Sequence, residues 1–186
     1  MHGLLYSYAM KPTDDILSRQ MHAAREEIFC AIVPAPFGAL GIRTTGTQFL
    51  RELVYLPSST ALMAPKNSLA KEAARQIERY FNDRDFAFDL PLAPAGTTFQ
   101  QKVWQVIAAI PRGAVLTYGD VARRIGSAPR AVGQACGANW FPLVIPCHRV
   151  TAAAGLGGFS NHAEVGGFHL GVKRWLLAHE GHSAYA

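Results

Sequence analysis

Leu143-Val144-Ile145-Pro146-Cys147-His148-Arg149-Val150 is the stretch on which the rest of the chain is organised. The apolar run Leu143 to Ile145 has strand character, and Pro146, which lacks a backbone N–H, cannot continue a sheet ladder, so the strand is expected to stop there. A thiol, an imidazole and a guanidinium follow at once, groups that cost free energy to bury unpaired, in a chain with only 17% charged residues. Such a cluster at a strand end points to a site. From composition alone a second reading stays open, with Cys147 as core filler and His148 and Arg149 as surface charge.

The chemistry of a site here is constrained. The thiolate is the nucleophile, and an ordinary thiol pKa leaves only a few per cent ionised at neutral pH, so Cys147 needs a basic neighbour. His148 is adjacent, but neighbours in a regular strand face opposite ways, so both enter one pocket only if the backbone turns at Cys147. Pro146 favours such a turn. The imidazole needs a partner to fix its tautomer, and Glu180, just past a helix end, is the candidate. Lowering the thiol pKa by about two takes roughly 2.7 kcal/mol, which an imidazolium with a carboxylate behind it is expected to supply.

Upstream of the site, Thr97 and Gln100 form a capping-box pattern opening a helix with Phe99, Val103, Val106 and Ile110 on its apolar face. Val115-Leu116 reads as a short extended link. Thr117 to Asp120 caps the next helix, with Val121, Ala122 and Ile125 inward and Gly126 as its stop. After Ser127-Ala128-Pro129 a further helix runs from Arg130 to about Cys136. This pair suggests a helix-turn-helix, a signal that is weak by itself. Downstream, the glycines of Gly155 to Gly158 lack a following Gly-Lys-Ser/Thr, so no phosphate loop is indicated. A last helix spans Leu170 to Ala178.

The first part of the chain reads as a small α/β unit. Residues 1–25 show no period and are left unassigned. Ile28 to Val33 and Ala39 to Arg43 flank a Pro/Gly turn as a hairpin, and Phe49 to Leu56 is a third strand. Leu69, Ala73, Ile77, Tyr80 and Phe81 recur at helical spacing, giving an amphipathic helix from Ser68 to Asn82. Phe86 to Thr97, with Pro91, Pro94 and Gly96, reads as a linker, so two lobes are expected, 1–94 and 95–186.

The 186 residues carry 18 Lys and Arg against 13 Asp and Glu, a net charge of +5 that suits phosphate-bearing partners. Three cysteines without a short-spaced pair indicate neither a disulfide framework nor a zinc ribbon. Cys30, inside a strand, reads as a structural thiol. Seven histidines show no paired ligand spacing. With no apolar run near 18 residues and no leader pattern, a soluble, cytoplasmic protein with reduced thiols and no membrane partner is expected.

Arg130-Ala131-Val132-Gly133, Asn139, Pro142 to Val150, Lys173 and the Trp175 to Gly181 tail together resemble the methylated-DNA–protein-cysteine methyltransferases, the O6-alkylguanine-DNA alkyltransferase family. The resemblance spans Thr97 to Gly181 and extends more faintly to Pro36 through Ile42. It implies an α/β N-terminal lobe (a small sheet plus helices, ribonuclease-H-like) joined to a mainly α, winged-helix-like DNA-binding C-terminal domain with a helix-turn-helix. The implied activity is DNA repair by direct, single-turnover transfer of the alkyl group from O6-alkylguanine to Cys147. Activity on O4-alkylthymine is left open. By the same resemblance, His148 acts as base through a bridging water and Glu180 orients it. Tyr118 presses on the backbone phosphate and assists the leaving guanine, and Arg130 fills the gap left by the flipped base. Asn139 steadies the active-site turn, Ser160 lies near O6, and the carbonyls of Cys147 and Val150 read the exocyclic amine. Lys173 belongs to the same substrate and DNA-binding set.

A stacked guanine O6 is unreachable, so the nucleotide must be flipped out. The product thioether resists hydrolysis, so one protein repairs one lesion, and no second thiol is positioned to regenerate it. A repair protein must accept any sequence, and the resemblance implies minor-groove binding to double-stranded DNA. No cofactor or metal is implied. The protein is expected to act as a monomer, with cooperativity along DNA left open and with the nucleoid as its place if the source is bacterial. Rival readings are a non-catalytic lesion-binding module that recruits other repair factors, a helix-turn-helix regulator with a redox thiol, and a thiol hydrolase. Four features depart from the family: Trp140 for proline, Phe159 for tyrosine, a lengthened loop from Asn161 to Gly167, and a tight Ser127-Ala128-Pro129 turn.

Overall fold

The computed structural model describes residues 29–160, 162 and 166–182. The unassigned opening residues and Ile28 of the first expected strand lie outside these, as do Asn161 and 163–165 of the lengthened loop. Strands β1 (Ala31–Ala35), β2 (Gly38–Thr45) and β3 (Phe49–Leu56) form an antiparallel sheet in that order. Ala35 pairs with Gly38 across a two-residue turn. Gly38 has φ 144°, and a Cβ there would stand 2.5 Å from the Leu56 carbonyl oxygen, so the β1–β2 turn needs glycine.

Helix α1 (Ser68–Asn82) buries Leu69, Ala70, Ala73, Ile77 and Tyr80, the apolar stripe expected from its spacing. Asn67 caps it by accepting from the Ala70 N–H at 2.8 Å, and its Nδ2 donates to Thr44 Oγ1 of β2 at 2.9 Å. One side chain thus satisfies an orphan helix donor and ties the helix to the sheet. The linker read from Phe86 to Thr97 is not free. Leu50 of β3 exchanges backbone hydrogen bonds with Pro91 and Ala93, and Gln76 of α1 exchanges two with the Asp89 backbone.

Helices α2 (Thr98–Ala108), α3 (Tyr118–Ile125), α4 (Pro129–Gly137) and α5 (Phe168–His179) follow. The Thr97–Gln100 capping box is formed on α2, and Thr117 and Asp120 make a second one on α3. Strand β4 (Leu116–Thr117) pairs in parallel with β5 (Val150–Thr151). The expected strand from Leu143 to Ile145 is absent. Leu143 takes a left-handed φ of 74°, and the Ile145 N–H donates to the Phe141 carbonyl at 2.8 Å, closing a turn. Burial, not a ladder, accounts for the apolar letters: Leu143 and Ile145 lie in the core, between two prolines that interrupt any ladder.

The fold is α/β, with a small sheet and five α-helices among the described residues. The core runs across the expected boundary near residue 94. Leu40, Ile42 and Leu53 of the sheet belong to one apolar cluster with Val103, Ile107 and Leu176. Trp175 of α5 packs edge-on against Phe37 and Phe81, ring centroids 5.6 Å away in each case. Among the described residues no helix is long and apolar enough to cross a membrane.

Replacing Asn67 with alanine removes both the cap and the tie to Thr44. The expected loss is about 1–2 kcal/mol, read as a lower urea midpoint with an unchanged denaturant slope.

Candidate active site

Cys147, His148 and Arg149 form a single 3-10 turn entered from Pro146. At about three residues per turn their side chains leave the axis in three directions, so neighbours that a strand would set on opposite faces can serve one site. Cys147 lines an open cavity of about 800 Å³. Tyr118 of α3, Arg130 and Cys136 of α4, and Phe159, Ser160 and His162 of the loop before α5 line it too. Arg130 is exposed at its rim.

Behind the thiol, the Glu180 carboxylate is only 4% exposed. Oε1 accepts from Tyr80 Oη at 2.8 Å, from His148 Nε2 at 3.0 Å and from Arg149 Nη2 at 2.8 Å, while Oε2 accepts from Arg149 Nε at 2.7 Å. Arg149 Nη1 donates to the Ile110 carbonyl at 2.6 Å. Burial opposes the carboxylate's charge, but hydrogen bonds from Arg149 and His148 outweigh it and hold Glu180 well below the usual carboxylate range. An ionised carboxylate only accepts, so His148 carries its proton on Nε2 and presents Nδ1 as its lone pair. Nδ1 is buried and has no hydrogen-bond partner in the structure. Burial also lowers the His148 pKa, against the pull of Glu180, so the ring is held neutral.

This corrects the expectation of an imidazolium beside a thiolate. The Cys147 pKa is raised, first by hydrogen bonding to the Cys136 thiol and then by burial, against the lowering effects of Asn139 and Lys173. The resting site therefore holds a neutral thiol with a neutral base in reserve. A second thiol, Cys136, lines the same cavity as Cys147. Asn139 Nδ2 donates to Cys147 Sγ at 3.1 Å and to the Ile145 carbonyl at 2.8 Å, and its Oδ1 accepts from the Phe141 N–H at 2.9 Å.

Lys173, grouped by resemblance with the residues that meet DNA, is fully buried. Its Nζ donates to the carbonyls of Val150 at 2.7 Å, Leu156 at 2.6 Å and Gly158 at 3.0 Å, which uses all three N–H bonds. Burial brings its pKa down to about 8. The Val150 carbonyl thus already has a donor, and the Cys147 carbonyl accepts from the Val150 N–H. Tyr118 Oη donates to Gly158 at 2.9 Å, and burial raises its pKa, so the phenol keeps its proton. A Cβ on Gly157, φ 66°, would lie 2.8 Å from the Tyr118 ring. Ser160 has a left-handed φ of 50°.

Sequence reasoning missed Tyr80, Cys136, Gly157 and the depth of Arg149. It also missed Tyr55 of β3, whose hydroxyl is buried without a hydrogen-bond partner and whose pKa is raised by burial and then by Cys147 and Glu180. Tyr80 carried a signal, a polar tip on a core stripe, that periodicity alone ignores. Of the departures from the family pattern, Phe159 is buried with its ring 5.6 Å from Tyr55, and Trp140 is 44% exposed.

Replacing Glu180 with glutamine leaves the Arg149 charge without its carboxylate, an expected loss of about 3–5 kcal/mol. The wild type should also lose stability with acid. Below about pH 6.5 the unfolded chain protonates at His148 while the folded one, with its lowered pKa, does not. Below about pH 4.5 the same holds for Glu180. Urea midpoints between about pH 7 and 4 should fall steadily in the wild type and lose their Glu180 limb in the glutamine variant.

The family pattern described as the 6-O-methylguanine DNA methyltransferase, DNA binding domain, matches residues 98–182. A methylated-DNA–protein-cysteine methyltransferase of Methanosarcina acetivorans is 43% identical over 164 residues, covering 83% of this chain and 99% of that protein. The regulatory protein ada of Salmonella typhimurium is 38% identical over 164 residues, which are 87% of this chain and 42% of that longer protein. The crystal structure of Mycobacterium tuberculosis OGT in complex with DNA superimposes with a TM-score of 0.65 at 35% identity, covering 83% of this chain and 93% of that one. A relative matched over nearly its whole length, together with a domain pattern that encloses the thiol, imidazole and carboxylate of the site, places this chain in the methylated-DNA–protein-cysteine methyltransferase family.

Proposed function

We propose that the protein repairs double-stranded DNA by moving the alkyl group of O6-alkylguanine onto Cys147, once per chain. The observation that carries this reading is the buried Cys147 thiol lining a cavity of about 800 Å³, with the Nδ1 of the adjacent His148 buried and without a hydrogen-bond partner. Sγ attacks the alkyl carbon in line, the S–C bond forms and the C–O6 bond breaks. The thiol proton passes to Nδ1 through a bridging water; guanine takes the Tyr118 hydroxyl proton, which turns away from the Gly158 carbonyl, and Tyr118 is reprotonated through solvent as His148 gives up its proton, so the exchange is neutral overall. Glu180 stabilises the imidazolium that forms. Tyr118, which keeps its proton, is a donor for the leaving guanine.

The target base enters the cavity only after leaving the stack, at a cost of a few kcal/mol. Arg130, exposed at the rim near the start of α4, fills the gap from the minor groove, where phosphate contacts dominate and sequence is weakly read. Ser160 meets the O6 side, Asn139 steadies the turn, and the Cys147 and Val150 carbonyls keep a second lone pair for the exocyclic amine. Lys173 acts as a positioning residue, since its bonds hold the loop from Val150 to Gly158 around the pocket.

The division into lobes 1–94 and 95–186, ribonuclease-H-like and winged-helix-like respectively, belongs to the same reading. It is supported by the sheet in the first part and the α3–α4 pair in the second. The protein acts as a monomer in a reducing, cytoplasmic setting, in keeping with three free thiols.

Intact-mass spectrometry after incubation with a duplex containing O6-methylguanine tests the reaction. One added methyl group mapped to Cys147, saturating at one per chain, is expected, whereas unchanged mass with tight lesion binding would favour a non-catalytic lesion-binding module. Cys147→Ala should abolish transfer and retain binding to alkylated DNA. Gly157→Ala, which crowds Tyr118, should slow transfer by tenfold or more, on the order of the 1–3 kcal/mol that local strain costs.

A further inference from the structure

We propose that Cys136 and Cys147 are a redox pair that closes to a reversible disulfide under peroxide, storing the alkyl acceptor in a recoverable form. Both residues line one cavity, Cys136 half-buried and Cys147 buried. Asn139 holds the two residues together. Its backbone N–H donates to the Cys136 carbonyl at 3.2 Å, and its side-chain Nδ2 donates to Cys147 Sγ at 3.1 Å. The two thiols face the same cavity, Cys136 contributes to the raised pKa of Cys147, and each also acts on Tyr118 and Lys173, so the four groups form one cluster.

Cys136 is the penultimate residue of α4, before Gly137, so the movement that brings the sulfurs to bonding distance falls on a helix end. Cys30 stands apart, beside β1, where its Sγ accepts from Thr44 Oγ1 at 3.2 Å. Among the described residues no group of three or more histidine, cysteine or acidic side chains is placed to hold a metal ion, so the thiol pair has no third ligand of that kind.

The chemistry balances with a hydroperoxide as oxidant. The more accessible Cys136 sulfur attacks the peroxide, an S–O bond forms, the O–O bond breaks, and the alcohol or water leaves. The Cys147 sulfur then displaces hydroxide from that sulfenic acid. The S–S bond forms, the S–O bond breaks, and the hydroxide takes the Cys147 proton and departs as water. Two thiols and one peroxide give one disulfide, one alcohol or water, and one further water. Without the partner, a lone Cys147 would continue to the sulfinic and sulfonic acids, which thiols do not reverse. The consequence for repair rests on Cys147 being the acceptor, whereas the disulfide itself does not.

The full chain, reduced and desalted, is treated with hydrogen peroxide and digested without reductant for peptide mass mapping. Alkyl transfer from an O6-methylguanine duplex is assayed before treatment, after it, and after dithiothreitol. The expected result is a chain lighter by two hydrogens, a linked Cys136–Cys147 peptide, transfer reduced to background, and recovery with dithiothreitol. Cys136→Ala, compared with its own untreated activity, should lose transfer irreversibly while Cys147 gains oxygen atoms. Transfer-competent wild type whose Cys147 gains oxygen, links to Cys30, or survives with Cys136 unlinked overturns the redox pair. A reduced protein that forms the disulfide but never accepts an alkyl group overturns the proposed function and leaves the disulfide standing.

Discussion

The carboxylate of Glu180 is the point on which the structure turns. It is buried, ionised and bonded to Tyr80 of α1 and to His148 and Arg149 of the 3-10 turn. Two full charges in the interior are costly to desolvate, and they are tolerated because Glu180 accepts four hydrogen bonds and Arg149 donates three. One carboxylate therefore fixes three things together: the register of α5 against α1, the direction of the Arg149 side chain, and the tautomer of the imidazole. The first part of the chain is in this way tied to the candidate site, since Tyr80 bonds the carboxylate that holds His148.

Around that anchor the site is held by bonds to backbone. Lys173 draws three carbonyls of the loop inward, and Asn139 bonds both the turn and the thiol. Neither residue needs to touch a base to matter. Their bonds hold Cys147 and the loop in place, the condition that the proposed in-line displacement requires. The thiol itself rests protonated, a state suited to a protein that reacts once. A standing thiolate would be spent on other electrophiles, whereas a neutral thiol beside a neutral base becomes nucleophilic when its proton has somewhere to go.

Much of this was legible in advance. The α-helices lay where apolar periodicity and caps put them, because Thr97–Gln100 and the Leu69 to Phe81 stripe are local patterns with local causes. The 3-10 turn was legible as a need, since adjacent Cys and His can serve one site only if the chain bends. The strand expected at Leu143 to Ile145 failed because burial and strand pairing leave the same apolar letters. The linker failed as a free connector because its partners, Leu50 and Gln76, are distant in sequence.

By itself the sequence determined the α-helices, the candidate nucleophile and the family, because these rest on contiguous motifs: the helix caps and stripes, Pro-Cys-His-Arg, the Arg-Ala-Val-Gly helix start, and the tail ending at Glu180. Only the tertiary structure decided the charge state of the thiol, the depth of Lys173 and Arg149, the role of Tyr80, and the meeting of Cys136 with Cys147. Those depend on burial and on contacts across tens of residues, from Tyr80 to Glu180 above all. A side chain's pKa and partners are properties of its surroundings, and surroundings exist only once the chain has folded.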